Sequence, residues 1–105
     1  LGNKFIDRGF ILENSIYLEL LRRGYKISIG KFNDYEVDFV TQKNGLTEYF
    51  QICESVRSKE TLQRELRALE SIKDHNPKTL LTLDDNPITD YNGIKQIYAL
   101  DWLLS

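Results

Sequence analysis

The feature that most restricts the possible folds is the period of the apolar residues, which changes twice along the chain. In residues 7–23, Phe10, Leu12, Ile16, Tyr17, Leu20 and Leu21 recur at helical spacing, with Ser15, Glu19 and Arg22 on the other side. Residues 25–32 and 35–41 then alternate, with Ile27 and Ile29 pointing one way in the first run and Val37 and Phe39 in the second. A third alternating run covers residues 47–55. Helical spacing returns with Leu62, Leu66, Leu69 and Ile72, and short apolar strands follow at 79–83 and 94–99. No all-helical bundle and no all-strand sandwich accommodates both periods. The order is αβββαβ, and a crossover helix returns the chain parallel, so the expected class is α/β with a mixed central sheet flanked by helices.

Turn chemistry marks the same boundaries. Gly24 ends the first helix, Asn33 and Asp34 join the first two strands, and Asn44-Gly45 is a hairpin signal before the third. Ser58 is placed to cap the second helix, with Glu60 in its first turn and Asn76-Pro77 closing it. Asn92-Gly93 predicts another turn, and Asp101 a cap for a last helical turn through Trp102 and Leu104.

A chain of 105 residues without an internal linker reads as one domain, residues 1–105, able to bury about two thirds of its unfolded surface. One cysteine, Cys53, excludes an intrachain disulfide, and one histidine excludes a Cys/His zinc set. No apolar run approaches the ~18 residues of a membrane span, and a soluble, cytoplasmic protein is expected. The chain starts at Leu1, so a piece of something longer is expected. A net charge of -2 argues against a strong overall grip on nucleic acid, although Arg22, Arg23, Lys26 and Lys31 form one basic cluster and Arg57, Lys59, Arg64 and Arg67 another.

Four residues stand out as candidates for chemistry. Glu13 falls inside the apolar arc of the first helix, where a carboxylate must be paired, protonated or bound to a metal. An ion pair with Arg64 or Arg67 is the plain alternative. Asp38 shares a strand face with Glu36, opposite Val37 and Phe39, and Gln51 and Cys53 share a face of the next strand, opposite Phe50 and Ile52. Asp38, the side-chain carbonyl of Gln51, the main-chain carbonyl of Ile52 and Glu13 through a water are the hard oxygen donors that Mg²⁺ or Mn²⁺ requires.

This layout resembles the PD-(D/E)xK nuclease superfamily, whose restriction-endonuclease-like fold carries a helix Glu, a strand Asp, then (Asp/Glu/Gln)-x-Lys and a crossover helix. Glu13, Asp38 and Gln51-Ile52-Cys53 stand in the motif positions, with Cys53 in place of the lysine. Longer stretches are similar to the C-terminal domain of unknown function attached to bacterial and archaeal AAA-type ATPases. They are Gly9-Phe10-Ile11-Leu12-Glu13-Asn14, Tyr17-Leu18-Glu19-Leu20, Arg22-Arg23-Gly24-Tyr25, Glu36-Val37-Asp38-Phe39-Val40, Arg64-Glu65-Leu66 and Leu81-Thr82-Leu83-Asp84-Asp85. The resemblance implies an upstream ATPase module of the same polypeptide. This chain has no G-x-x-x-x-G-K-[ST] phosphate loop of its own.

In the superfamily a metal held by the acidic positions activates water and the lysine orients it. Cys53 supplies no positive charge, since a thiol near carboxylates stays neutral at pH 7. The expectation is therefore a cleavage-incompetent nuclease-like domain that binds nucleic acid such as DNA, or regulates its ATPase. One alternative is an active Mg-dependent deoxyribonuclease with a basic residue supplied from Lys31, Arg57, Lys59 or Arg64. Another is an oligomerisation domain using exposed Tyr, Phe and Trp102.

Overall fold

The computed structural model describes residues 7–85 and 90–105; Leu1 lies outside them. The elements are α1 (Arg8–Arg22), β1 (Lys26–Phe32), β2 (Tyr35–Lys43), β3 (Leu46–Cys53), α2 (Lys59–Glu70), β4 (Lys78–Thr82), β5 (Lys95–Tyr98) and α3 (Ala99–Leu104). The strands form one sheet in the order β1-β2-β3-β4-β5. β1/β2 and β2/β3 are antiparallel, and β3/β4 and β4/β5 are parallel. The protein is therefore α/β with a five-stranded mixed sheet. No described helix is long and apolar enough to cross a membrane.

Local chemistry explains the ends of the elements. The Asp7 carboxylate caps α1 by accepting the Phe10 N–H at 3.0 Å. Gly24 follows the C-cap Arg23 with φ of +88°, a left-handed position where a Cβ is disfavoured. Asn33, Asn44 and Asn92 all turn with positive φ, the conformation that makes asparagine a turn residue. Ser58 occupies the N-cap of α2, but its side chain makes no capping bond. That helix ends at Glu70, short of Asn76-Pro77, and Ile72 is buried just beyond it.

The sheet separates two apolar layers. Leu12, Ile16 and Leu20 of α1 pack on Phe39, Phe50, Ile52, Leu81 and Ala99. Ala68 and Leu69 of α2, with Ile72, pack on Val37, Tyr49, Val56, Leu80 and Ile94. Burying each large aliphatic side chain contributes about 1.5–3 kcal/mol. The stripe of α1 is narrower than its spacing suggests, since Phe10 is 68% exposed and Tyr17 and Leu21 are also exposed.

Three further expectations need correction. Val37 and Phe39 do not share a face; they lie in opposite layers. Asp101 is not a cap, because α3 starts directly after β5 with Tyr98 at its N-cap and Asp101 inside the first turn. Trp102 is not an exposed terminus. Its ring meets Phe50 edge-on at 5.9 Å and lies under the Arg23 guanidinium at 4.3 Å, while Arg23 also donates to the Trp102 carbonyl.

Candidate functional site: an acidic cleft at a strand fork

A bulge creates the site. Ser28 pairs with Val40 and Gly30 with Val37, so Asp38 and Phe39 together oppose the single residue Ile29. The extra residue breaks the alternation of β2, which is why Val37 and Phe39 part to opposite layers and Asp38 is re-aimed. Gly30 permits the close approach: a Cβ there would lie 2.6 Å from a Val40 methyl and 2.7 Å from the Phe32 ring.

Beside the bulge the β2–β3 ladder stops. It runs from Lys43↔Leu46 to Phe39↔Phe50, and the next pair in register would be Asp38 and Gln51. Side chains replace the backbone rungs at that point. The Asp38 N–H donates to Gln51 Oε1 at 2.6 Å, and the Ile52 N–H donates to Asp38 Oδ2 at 2.9 Å. Gln51 Nε2 donates to Glu65 Oε1 at 2.9 Å, tying the fork to α2. Gln51 is buried and both ends of its amide are in use.

A cleft of about 330 Å³ opens over this fork, with Glu13, Glu36, Asp38, Gln51, Arg64 and Glu65 among its lining. The structure thus brings Glu13, Asp38 and Gln51 together, one from α1 and one from each forked strand. Glu13 is half-buried, and among the described residues it has no ion-pair partner; Arg64 pairs with Glu65 instead, at 3.6 Å.

Burial pushes the Asp38 carboxyl up to about 6, and the neighbouring charges of Glu13, Glu65 and Glu36 push the same way against the Ile52 N–H. Glu65 is also raised, first by burial and further by Glu13, while Arg64 and Gln51 oppose the shift. The cleft therefore holds more negative charge than its own groups neutralise.

Cys53 lies two residues beyond Gln51, half-buried against the α2 layer, with its thiol donating to the Ser55 carbonyl at 3.3 Å. Burial raises the thiol, and Glu65 and Asp38 add to the effect, so it is a neutral group at pH 7. Of the four basic candidates, Arg64 lines the cleft. Arg57 is committed to Asp84 at 3.6 Å and Asp85 at 3.4 Å, Lys31 pairs in register with Glu36 on the edge strand, and Lys59 starts α2.

The expected oxygen donors meet at the fork with part of their acceptor capacity in use. The Gln51 carbonyl that was to serve as a ligand accepts the Asp38 N–H, and one Asp38 oxygen accepts the Ile52 N–H. Among the described residues no three of His, Cys, Asp or Glu converge as a ligand set.

Glu65 in the cleft and Asp84 outside it were not among the four candidates for chemistry read from the sequence. Glu65 carried a readable signal, because it stands three residues after Leu62 and four before Leu69, inside the apolar stripe of α2 as Glu13 is in α1. Asp84 carried none. It is buried just after β4, where it accepts the Ser55 hydroxyl at 2.7 Å and the Val56 N–H at 2.8 Å, fixing the turn from β3 into α2.

No protein-family model matches the chain. It is 36% identical over 104 residues to an uncharacterized protein of Haemophilus influenzae, an alignment that takes in 99% of this chain and 25% of that relative. The chain thus spans about a quarter of the length of the relative it matches.

Proposed function

We propose that this chain is a restriction-endonuclease-like domain that has lost cleavage and serves as a nucleic-acid-binding module of an AAA-type ATPase. The observation that carries the loss of cleavage is Cys53 in the lysine position, a neutral thiol that donates to the Ser55 carbonyl where the superfamily's chemistry needs a positive charge. The Gln51 amide, tied at both ends to Asp38 and Glu65, gives the fork a structural use that needs no metal. Support for the fold family comes from the αβββαβ order and from the meeting of Glu13, Asp38 and Gln51 in one cleft. The match to a quarter of a longer relative supports attachment to a larger polypeptide.

Incubation with plasmid, single-stranded and branched DNA in Mg²⁺ or Mn²⁺ should give no cleavage. Manganese-stimulated cutting that Asp38→Ala abolishes would overturn the proposal. A second reading, an active nuclease, is favoured by one observation: Arg64 lines the cleft, where its exposed guanidinium, paired with Glu65 at 3.6 Å, could replace the missing lysine. In that case Mg²⁺ or Mn²⁺ raises the melting temperature of the native protein and not of Asp38→Ala, and Arg64→Ala loses the activity.

A further inference from the structure

Nucleic acid is poorly matched to the acidic cleft, where Glu13, Glu36, Asp38 and Glu65 face one arginine. The opposite end of β2 differs in charge. From Asp38 to Lys43 the strand advances about 17 Å, and there Lys26 and Lys43 line a recess of about 360 Å³ at the β2–β3 hairpin. Next to it, at the starts of β3, β4 and β5, is a second pocket of about 280 Å³ lined by Tyr25, Phe50, Trp102, Lys78 and Lys95, with Glu48 its carboxylate. That volume is near the lower end of the range for ligand pockets, about 300 Å³, and suits a single base.

Cations and rings are interleaved at this end. Arg23 lies over Trp102, and Lys43 sits 5.1 Å from the Tyr25 ring centre. Lys78 is committed to Asp74, whereas Lys26, Lys43 and Lys95 make no ion pair among the described residues. Half-buried Tyr25 and Trp102 beside the Lys26 and Lys95 ammonium groups, with Lys43 donating to the Arg23 carbonyl at 2.7 Å, offer what a base and its flanking phosphates require.

We propose that the pocket of Tyr25 and Trp102, rimmed by Lys95 and continued by Lys26 and Lys43, binds single-stranded nucleic acid, a base stacking in the pocket and phosphates meeting the lysines. This rests on the nucleic-acid-binding reading above and places the contact on a face remote from the cleft. Stacking needs an unpaired base, so single strands bind and duplex competes weakly.

The chain has one tryptophan, so Trp102 fluorescence reports on the pocket directly. Titration of the protein with an oligo-dT at low salt should quench that fluorescence to saturation. With about three phosphates engaged, log affinity should fall with log salt at a slope of about −2. The double variant Lys26→Glu with Lys95→Glu, both exposed positions, should melt as the native protein does and bind about tenfold or more weakly. Anisotropy of a labelled oligonucleotide separates the possible failures. Binding without a change at Trp102, binding indifferent to the two lysine changes, or equal binding of duplex overturns the pocket and leaves the nucleic-acid reading standing. No oligonucleotide binding at all overturns both. Cleavage of DNA overturns the proposed loss of activity and leaves this pocket in place.

Discussion

Asp38 and Gln51 hold each other across the fork between β2 and β3, the backbone N–H of the first donating to the side-chain carbonyl of the second at 2.6 Å. The contact stands where the next rung of the ladder would have been, and the same Gln51 amide reaches Glu65 on the helix above. Replacing Gln51 by Leu leaves the Asp38 N–H without its acceptor and Glu65 without its donor. Urea unfolding should show a loss of about 1–3 kcal/mol. An unchanged midpoint would mean that the clasp contributes nothing to the fold.

The crowding of carboxylates predicts an unusual pH dependence. Asp38 has its folded pKa raised from an ordinary 3.8 to about 6, so the folded state binds the proton more tightly than the unfolded chain. Its stabilising contribution is fully present below about pH 4 and is lost as pH rises through 6, amounting to roughly 3 kcal/mol. Asp38→Asn keeps an oxygen for the Ile52 N–H and removes the charge. Its melting temperature should exceed that of the native protein at pH 7.5, and the difference should shrink as pH falls and vanish near pH 3. A native-like difference that stays constant with pH would count against charge repulsion in the cleft.

Gly30 tests the bulge. A methyl group there meets Val40 and the Phe32 ring at under 3 Å, so Gly30→Ala must shift either β2 or the ring. Overpacking of this kind costs about 1–3 kcal/mol. Thermal unfolding should report the loss, and amide chemical shifts of Asp38 and Phe39 should move more than those of the remote hairpin at Asn44. Movement confined to Gly30 and its chain neighbours would show that the strands absorb the methyl group without disturbing the site.

Asp84 anchors the segment that leads out of β3. Asp84→Ala strands the Val56 N–H and the Ser55 hydroxyl in a buried setting, and a loss of about 2–4 kcal/mol is expected in denaturant. Proteolysis should then cut first between Ser55 and Lys59, where the released turn becomes accessible. Native resistance at that segment would place the anchoring elsewhere.

Much of this arrangement could be read from the residues, for definite reasons. The strands and both long helices follow from period and turn chemistry, because Gly24, Asn33, Asn44 and Asn92 favour the left-handed conformations they adopt. Glu13, Asp38 and Gln51 were identifiable as cleft neighbours because one interrupts an apolar stripe and the others sit across adjacent strands. The bulge was not legible: strict alternation puts Val37 and Phe39 on one face, and only the pairing of β1 with β2 reveals the extra residue. Nor was the use of the Gln51 carbonyl, since its partner is a backbone N–H that every residue but proline carries. The start of α3 was misplaced because no turn residue separates it from β5.

In this sheet, strands adjacent in space are also consecutive in the chain, and that has a consequence for assembly. By the time Cys53 has been synthesised, α1 and the whole antiparallel meander exist, and the Asp38–Gln51 fork can close on local contacts. Glu65 comes only with α2, which brings the last wall of the cleft and its last carboxylate together. The order of synthesis thus separates the making of the fork from the arrival of the charge that strains it.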